Sequence, residues 1–90
     1  MFKTLEELIA VIRQRKESSV VESYTKKLLN DKKLSIEKVK EEIAELIDAI
    51  EKNSNKIHES ADVLYHLMVL LEANGIKIED VMDELKKRQK

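Results

Sequence analysis

The chain has 90 residues and a mass of 10.5 kDa, which limits it to one small domain over residues 1–90. Its 17 basic and 18 acidic side chains are balanced, which argues against a basic nucleic-acid surface. No apolar run is long enough to span a membrane, and the absence of cysteine excludes disulfides and fits a reducing, cytoplasmic location. With one glycine and no proline, sheet-rich folds with many tight turns are disfavoured. We therefore predict a small all-α domain that binds neither nucleic acid nor membrane.

The first third of the chain predicts a long helix and a short one. Thr4 and Glu7 have the spacing of a capping box, and leucines and isoleucines follow at helical intervals to about residues 15–16. A connector at 17–22 then leads to Ser23, which precedes a short helix.

The remainder of the chain predicts three further helices. Residues 30–34 form a polar link, and Ser35 is the expected N-cap of a helix that runs to a turn at 53–55. The next helix should stop at Gly75, and the last covers about 79–88. The first of these three carries an apolar stripe, which consists of Ile36, Val39, Ile43, Leu46, Ile47 and Ile50.

The helix before Gly75 is apolar around its whole circumference, because residues 63–71 read VLYHLMVLL. A helix of that kind must be buried on all sides, and the other helices of so short a chain cannot surround it. The missing cover is most simply a second copy of the chain, so we expect a homodimer or a higher homo-oligomer. The alternative is a tightly wrapped monomer.

Acidic residues interrupt this apolar helix at Glu59 and Asp62. Burial of two carboxylates without a partner is unfavourable, and the preceding long helix offers further acids, Glu42 and Glu45, rather than a cation. If the two helices pack antiparallel, all four carboxylates converge and repel one another unless a divalent cation lies among them. An all-oxygen ligand set favours Mg²⁺, with Mn²⁺ as the alternative.

A less specific interpretation applies to several of these residues. Glutamates spaced as EExxE are common on solvated helix faces, and only the acids of the apolar helix escape that explanation. His66 lies on the same stripe as Glu59 and Asp62, where it either orients a carboxylate or is a hydrogen-bonded core histidine. His58 reads as a surface residue.

The EExxE string at residues 41–45, followed after 13 intervening residues by ExxD at 59–62, resembles the metal signature of the MazG-type all-α nucleotide pyrophosphohydrolases. Within that superfamily the chain is similar to the phosphoribosyl-ATP pyrophosphohydrolase family over residues 5–88. It departs from the family pattern at Lys40, where glycine is usual, and at Ile43, where alanine is usual. The segments that carry the likeness are 22–29 (ESYTKKLL), 38–45 (KVKEEIAE), 59–71 (ESADVLYHLMVLL) and 74–81 (NGIKIEDV).

The resemblance implies a MazG-like bundle of four to five helices, completed by homo-oligomerisation, that converts phosphoribosyl-ATP to phosphoribosyl-AMP and pyrophosphate in histidine biosynthesis. It also implies a possible link to phosphoribosyl-AMP cyclohydrolase. The expected metal ligands are Glu42, Glu45, Glu59 and Asp62, and Glu41 and Glu42 are the expected catalytic residues, with Glu41 positioning water or holding a second ion. The expected substrate contacts are Arg15, Lys16, Ser23, Tyr24, Lys26 and Lys38.

Two other functions stay open on the sequence. A house-cleaning nucleoside triphosphate pyrophosphohydrolase would share the fold and the chemistry but not the substrate. A non-catalytic helical oligomerisation module would explain the apolar helix but not Glu59 and Asp62 within it.

Overall fold

The structure is a computed structural model that describes residues 2–18 and 23–89. Within these ranges it is built from helices without strands, as the all-α prediction requires. Most of the predicted connector at 17–22 lies outside the described residues. The helices are α1 (Lys3–Glu17), α2 (Tyr24–Asn30), α3 (Lys32–Lys52), α4 (Lys56–Ala73) and α5 (Ile78–Arg88).

The first two helix starts differ in how well the sequence predicted them. The N-cap of α1 is Phe2, which makes no side-chain cap, so the capping box predicted at Thr4 is wrong because Thr4 already lies inside the helix. Ser23 caps α2 as predicted, since its Oγ accepts a hydrogen bond from the backbone N–H of Lys26 at 3.1 Å.

Asp31 rather than Ser35 caps α3, which corrects the predicted start of this helix. The Asp31 Oδ1 accepts a hydrogen bond from the Leu34 N–H at 3.1 Å, so the helix begins at Lys32 and the predicted link at 30–34 shrinks to Asp31. Asp and Ser are about equally good caps, and the earlier of the two starts the helix. Ser35 is consequently enclosed within α3, 1% exposed.

The ends of α3 and α4 follow the prediction closely. Asn53 and Asn55 both adopt left-handed backbone with φ of 55°, a conformation that asparagine tolerates better than most residues. After α4, Gly75 has φ of 70°, and the Ile76 N–H bonds to the Leu71 carbonyl at 2.9 Å, which completes a Schellman motif. The short turn and the glycine stop therefore set the length of α4.

The apolar core joins α1, α2 and the carboxyl-terminal half of α4, while α3 lies along α4 in the most extensive helix pair. Leu5, Leu8 and Tyr65 pack around this core. The amino-terminal half of α4 and the facing part of α3 thus form a hairpin beside the core. The buried core residues are Ile12, Leu28, Leu29, Met68, Val69 and Ala73.

Most of the apolar stripe predicted for α3 is exposed within one chain. Ile43, Ile47 and Ile50 are 42%, 53% and 56% exposed, and Leu64 of α4 is 48% exposed. Within one chain, α4 is therefore not covered on all sides. None of the described helices is both long and apolar enough to cross a membrane. The buried residues of α3 are Ser35, Val39, Glu42 and Ala49, of which only Val39 belongs to the stripe.

Candidate metal centre

Two groups of potential metal ligands face each other across the α3–α4 hairpin. Within each group, one ligand atom from every residue lies within 4.8 Å of the others. The α3 group consists of Glu41, Glu42 and Glu45, and the α4 group of His58, Glu59 and Asp62.

The four carboxylates that the sequence predicted to converge do interact across the hairpin. Glu42 is electrostatically coupled to Asp62, and Glu45 to Glu59. As residue numbers fall along α3 they rise along α4, which is the predicted antiparallel arrangement.

Burial and like charge act together on two of these acids. Burial raises the pKa of Glu42, and the nearby carboxylates of Glu45 and Asp62 raise it further, while His66 opposes them. Burial also raises the pKa of Glu59, with Glu45 as the next contribution. Both glutamates are therefore held where their charged forms are disfavoured.

Two oxygen atoms of the site have no internal partner. Among the described residues, Glu42 Oε2 and Glu59 Oε2 are buried atoms without a hydrogen-bond donor, and Glu42 as a whole is only 8% exposed. Buried carboxylate oxygens normally have partners, because the unpaired state is costly. This donor set therefore fits a hard divalent cation such as Mg²⁺ or Mn²⁺.

Asp62 is more open than the sequence suggested. Its side chain is 38% exposed, and Glu59 is likewise only partly buried as a residue, so the prediction that both acids of α4 are buried holds only in part. A cleft of about 410 Å³ reaches Glu41, Glu45 and Glu59 from solvent. The cleft is lined by Glu41, Ala44, Glu45, Asp48, Ala49, Ser54, Asn55 and Glu59.

His66 holds the backbone beneath the site. Its Nδ1 lies 2.8 Å from the Asp62 carbonyl oxygen, which can only accept, so Nδ1 donates the hydrogen bond. In the neutral ring Nε2 then accepts from the Tyr24 hydroxyl at 3.0 Å. The ring also packs edge-on against Tyr65, with centroids 4.9 Å apart. Both nitrogens are thus engaged, and His66 connects α2 to the backbone of Asp62.

Tyr24 and Lys38 border the acidic cluster, as expected for residues near a substrate. Burial raises the pKa of Tyr24, and the positive charge of Lys38 opposes this. Lys38 Nζ lies 3.4 Å from Glu41 Oε2, and this carboxylate is the main reason that the pKa of Lys38 is raised. Ser23 and Lys26 line a separate cleft together with Tyr24.

The other predicted cations lie apart from the cluster. Lys16 Nζ donates to the Glu72 carbonyl at 2.9 Å, and Glu72 is ten residues beyond Asp62, or about 15 Å along α4. Lys26 Nζ donates to the Ser18 carbonyl at 2.5 Å. Arg15 is partly exposed and makes no ion pair with the described residues. One chain alone therefore does not bring Lys16 to the acids.

Two residues near the site were not singled out by the sequence. The predicted surface position of His58 is confirmed, because its side chain is 73% exposed, and its Nε2 lies 3.4 Å from Asp62 Oδ2. Asp48 lines the cleft and pairs with Lys52 at 3.1 Å, so it is not remote from the acids. The four-residue spacing of His58 and Asp62 is the signal that could have found the first.

The family follows from the comparison with known proteins. Residues 5–89 match the family described as phosphoribosyl-ATP pyrophosphohydrolase. The chain belongs to that family. The resemblance carried by the acidic motif is thereby confirmed, and the motif residues are those that face each other across the hairpin.

Individual relatives show both stand-alone and fused contexts. The chain is 41% identical to the phosphoribosyl-ATP pyrophosphatase of Caulobacter sp. strain K31, over 99% of this chain and 85% of the relative. It is 46% identical to the histidine biosynthesis bifunctional protein HisIE of Pyrococcus furiosus, over 96% of this chain and 41% of the relative. It is 45% identical to the chloroplastic hisIE bifunctional protein of Arabidopsis thaliana, over 94% of this chain but 33% of the relative. The chain thus spans less than half the length of these two bifunctional relatives.

Proposed function

We propose that this protein is a phosphoribosyl-ATP pyrophosphohydrolase that hydrolyses its substrate to phosphoribosyl-AMP and pyrophosphate in histidine biosynthesis. The observation that carries the proposal is the pair of buried carboxylate oxygens of Glu42 and Glu59, which lack donors within a four-acid cluster. Family membership, with relatives named for this activity, supplies the substrate class.

The residues of the cluster have two different roles, metal binding and activation of water. Glu42, Glu45, Glu59 and Asp62 would hold Mg²⁺, or Mn²⁺ in its place. When bound, the ion neutralises phosphate oxygens and lowers the pKa of the attacking water. Glu41 is exposed at the rim of the cleft, where it orients the water or accepts its proton.

Substrate positioning falls to the polar residues around the cluster. Lys38 presents a positive charge beside Glu41, and the exposed Tyr24 ring provides a surface for the nucleotide. His66 holds Asp62 and Tyr24 in register through its two hydrogen bonds. Ser23, Lys26, Arg15 and Lys16 remain candidate phosphate contacts.

A homodimer or larger assembly is part of the proposal. Ile43, Ile47 and Ile50 of α3 and Leu64 of α4 are each at least 42% exposed, which is unusual for so many large aliphatic side chains. A second copy would cover them. Light scattering at micromolar concentration should return at least twice 10.5 kDa, and a stable mass near 10.5 kDa would remove this part of the proposal.

The cellular setting is proposed on two grounds. The bifunctional relatives suggest a functional link to the phosphoribosyl-AMP cyclohydrolase that would consume the product. The absence of cysteine is compatible with a reducing cytoplasm.

The direct test is pyrophosphate release from phosphoribosyl-ATP, compared with dATP, dCTP and dUTP, with and without Mg²⁺. The proposal expects Mg²⁺-dependent release with phosphoribosyl-ATP as the preferred substrate. Faster hydrolysis of the deoxynucleotides would favour a house-cleaning enzyme, and no hydrolysis of any of them would favour an oligomerisation module.

A further inference from the structure

His58 extends the acidic cluster by a nitrogen donor. Its Nε2 lies 3.4 Å from Asp62 Oδ2, and both residues share a helix face with Glu59 such that one ligand atom of each lies within 4.8 Å of the others. In the sequence His58-Glu59-Ser60-Ala61-Asp62, His58 and Asp62 are four residues apart. Two histidines at this spacing on one helix face bind zinc, and here Asp62 takes the place of the second histidine.

An independent observation fits a cation at this cluster. Glu42 is only 8% exposed, its Oε2 has no donor among the described residues, and it is electrostatically coupled to Asp62. Glu59 Oε2 is likewise without a donor among the described residues, and Glu59 directly follows His58 in the sequence. The side chains that would bind an ion therefore lie on the same part of α4 as His58.

His58 is also the histidine that is free to move onto an ion. Its side chain is 73% exposed, and an exposed pair with Asp62 is only weakly stabilising, so the ring can reorient at little cost. The sequence contains just one other histidine, His66, whose nitrogens are engaged by Tyr24 and the Asp62 carbonyl.

We propose that His58 donates an imidazole nitrogen to the divalent cation of the Glu59–Asp62 cluster and thereby raises its selectivity for transition-metal ions such as Mn²⁺ over Mg²⁺. The proposal rests on the metal site of the proposed function. Mg²⁺ strongly prefers oxygen ligands and keeps much of its water, whereas the first-row transition ions gain from imidazole. Removal of the imidazole nitrogen should therefore weaken the binding of Mn²⁺ and leave the binding of Mg²⁺ nearly unchanged.

The experiment measures Mn²⁺ and Mg²⁺ affinities of the metal-stripped full chain by calorimetry, for the natural protein, His58→Ala and His58→Gln. Pulsed electron paramagnetic resonance of the Mn²⁺-loaded proteins detects a directly bound ¹⁴N nucleus. We expect a ¹⁴N coupling in the natural protein that both variants lose, with Mn²⁺ affinity lower by about tenfold and Mg²⁺ affinity within about twofold. A purely electrostatic effect of His58 would instead change both affinities alike.

The outcomes separate this inference from the function beneath it. If Mg²⁺ binds and supports hydrolysis but the ratio of the two affinities is unchanged in His58→Ala, the role of His58 is overturned and the function stands. A ¹⁴N coupling that persists in His58→Ala also overturns it. If the natural protein binds neither ion, the metal site fails and the inference fails with it.

Discussion

The acidic residues near the two ends of α4 lie in opposite electrostatic environments. At the carboxyl-terminal end, Arg13 of α1 pairs with Glu79 at 2.6 Å and with Glu72 at 3.4 Å. The hydrogen bond from Arg13 lowers the pKa of Glu79 to about 2. At the amino-terminal end, burial and neighbouring acids raise the pKa of Glu42 and Glu59.

Arg13 supplies the counter-charge at the first region, whereas the proposed function assigns that role to a bound cation at the second. The Arg13 cluster ties α1 to α4 and α5 and needs nothing further. In the acidic cluster Lys38 pairs only with the exposed Glu41, and the buried oxygens of Glu42 and Glu59 lack donors among the described residues. A structural role explains the first region, and the proposed cation site would account for the second.

The largest expected effect comes from breaking the acidic cluster. Asp62→Asn keeps the shape of the side chain but removes a charge that Mg²⁺ requires, and displacement of the ion by about 1 Å can cost about 10²-fold in rate. We expect at least a hundredfold loss of pyrophosphate release, measured on phosphoribosyl-ATP, with unchanged oligomeric mass.

Asp83→Asn is the matched control for this variant. Asp83 lies in the groove between α1 and α5, away from the acidic cleft, so activity should stay within about twofold. Asp48→Asn is unsuitable as a control because Asp48 lines the cleft itself. An active Asp62→Asn enzyme would contradict the role of this residue.

Metal addition should produce the next largest effect. A ligand at a hundredfold excess over its dissociation constant stabilises the folded state by about 2.7 kcal/mol, which for a domain of this size is a rise in Tm of roughly 10–20 °C. Calorimetry with Mg²⁺ or Mn²⁺ should show this rise, and a chelator should reverse it. A Tm that is independent of both ions would count against the site.

Charge removal should then have opposite signs at the two ends of α4. In the metal-free protein, Glu59→Gln removes repulsion, so its Tm should hold or rise, and its response to Mg²⁺ should weaken. Glu79→Gln removes an ion pair that joins helices, so its Tm at pH 7 should fall by a few degrees. A change in Tm of the same sign in both variants would contradict the proposed difference between the two regions.

The loss in Glu79→Gln should depend on pH. Because the folded-state pKa of Glu79, about 2, lies below its ordinary value of 4.5, the pair stabilises fully above about pH 4.5 and progressively less as pH falls toward 2. The Tm difference between the natural protein and the variant should therefore shrink between pH 5 and pH 3. A constant difference would mean that packing, not charge, causes the loss. Glu84→Gln, within the exposed pair Glu84–Arg88 of α5, controls for an ion pair that joins no helices.

The sequence predicted most helix boundaries because local signals determine them. Ser23 and Gly75 act as the rules for caps expect, through one side-chain acceptor and one left-handed backbone. At Asp31 and Ser35 two good caps compete a turn apart, and propensity alone does not rank them. The start of α3 was misplaced for this reason.

The candidate site was predicted in its acids but not in its surroundings. Helical spacing brings Glu59 and Asp62 to one face whatever the tertiary structure. Which face of α3 packs on α4 depends on tertiary contacts, so the sequence pattern did not show that Glu42 is buried while Ile43, Ile47 and Ile50 of the apolar stripe are exposed. His58 was predicted only as a surface residue, and its contact with Asp62 follows from their four-residue spacing on one helix.

The most direct measurement of the central claim is a titration of Mn²⁺ into the metal-stripped protein, with free Mn²⁺ followed by electron paramagnetic resonance and Mg²⁺ added as competitor. The account predicts saturable binding of at least one ion per chain that Mg²⁺ displaces, that Asp62→Asn loses and that Glu79→Gln retains. Absence of saturable binding, or equal binding by Asp62→Asn and the natural protein, would contradict it.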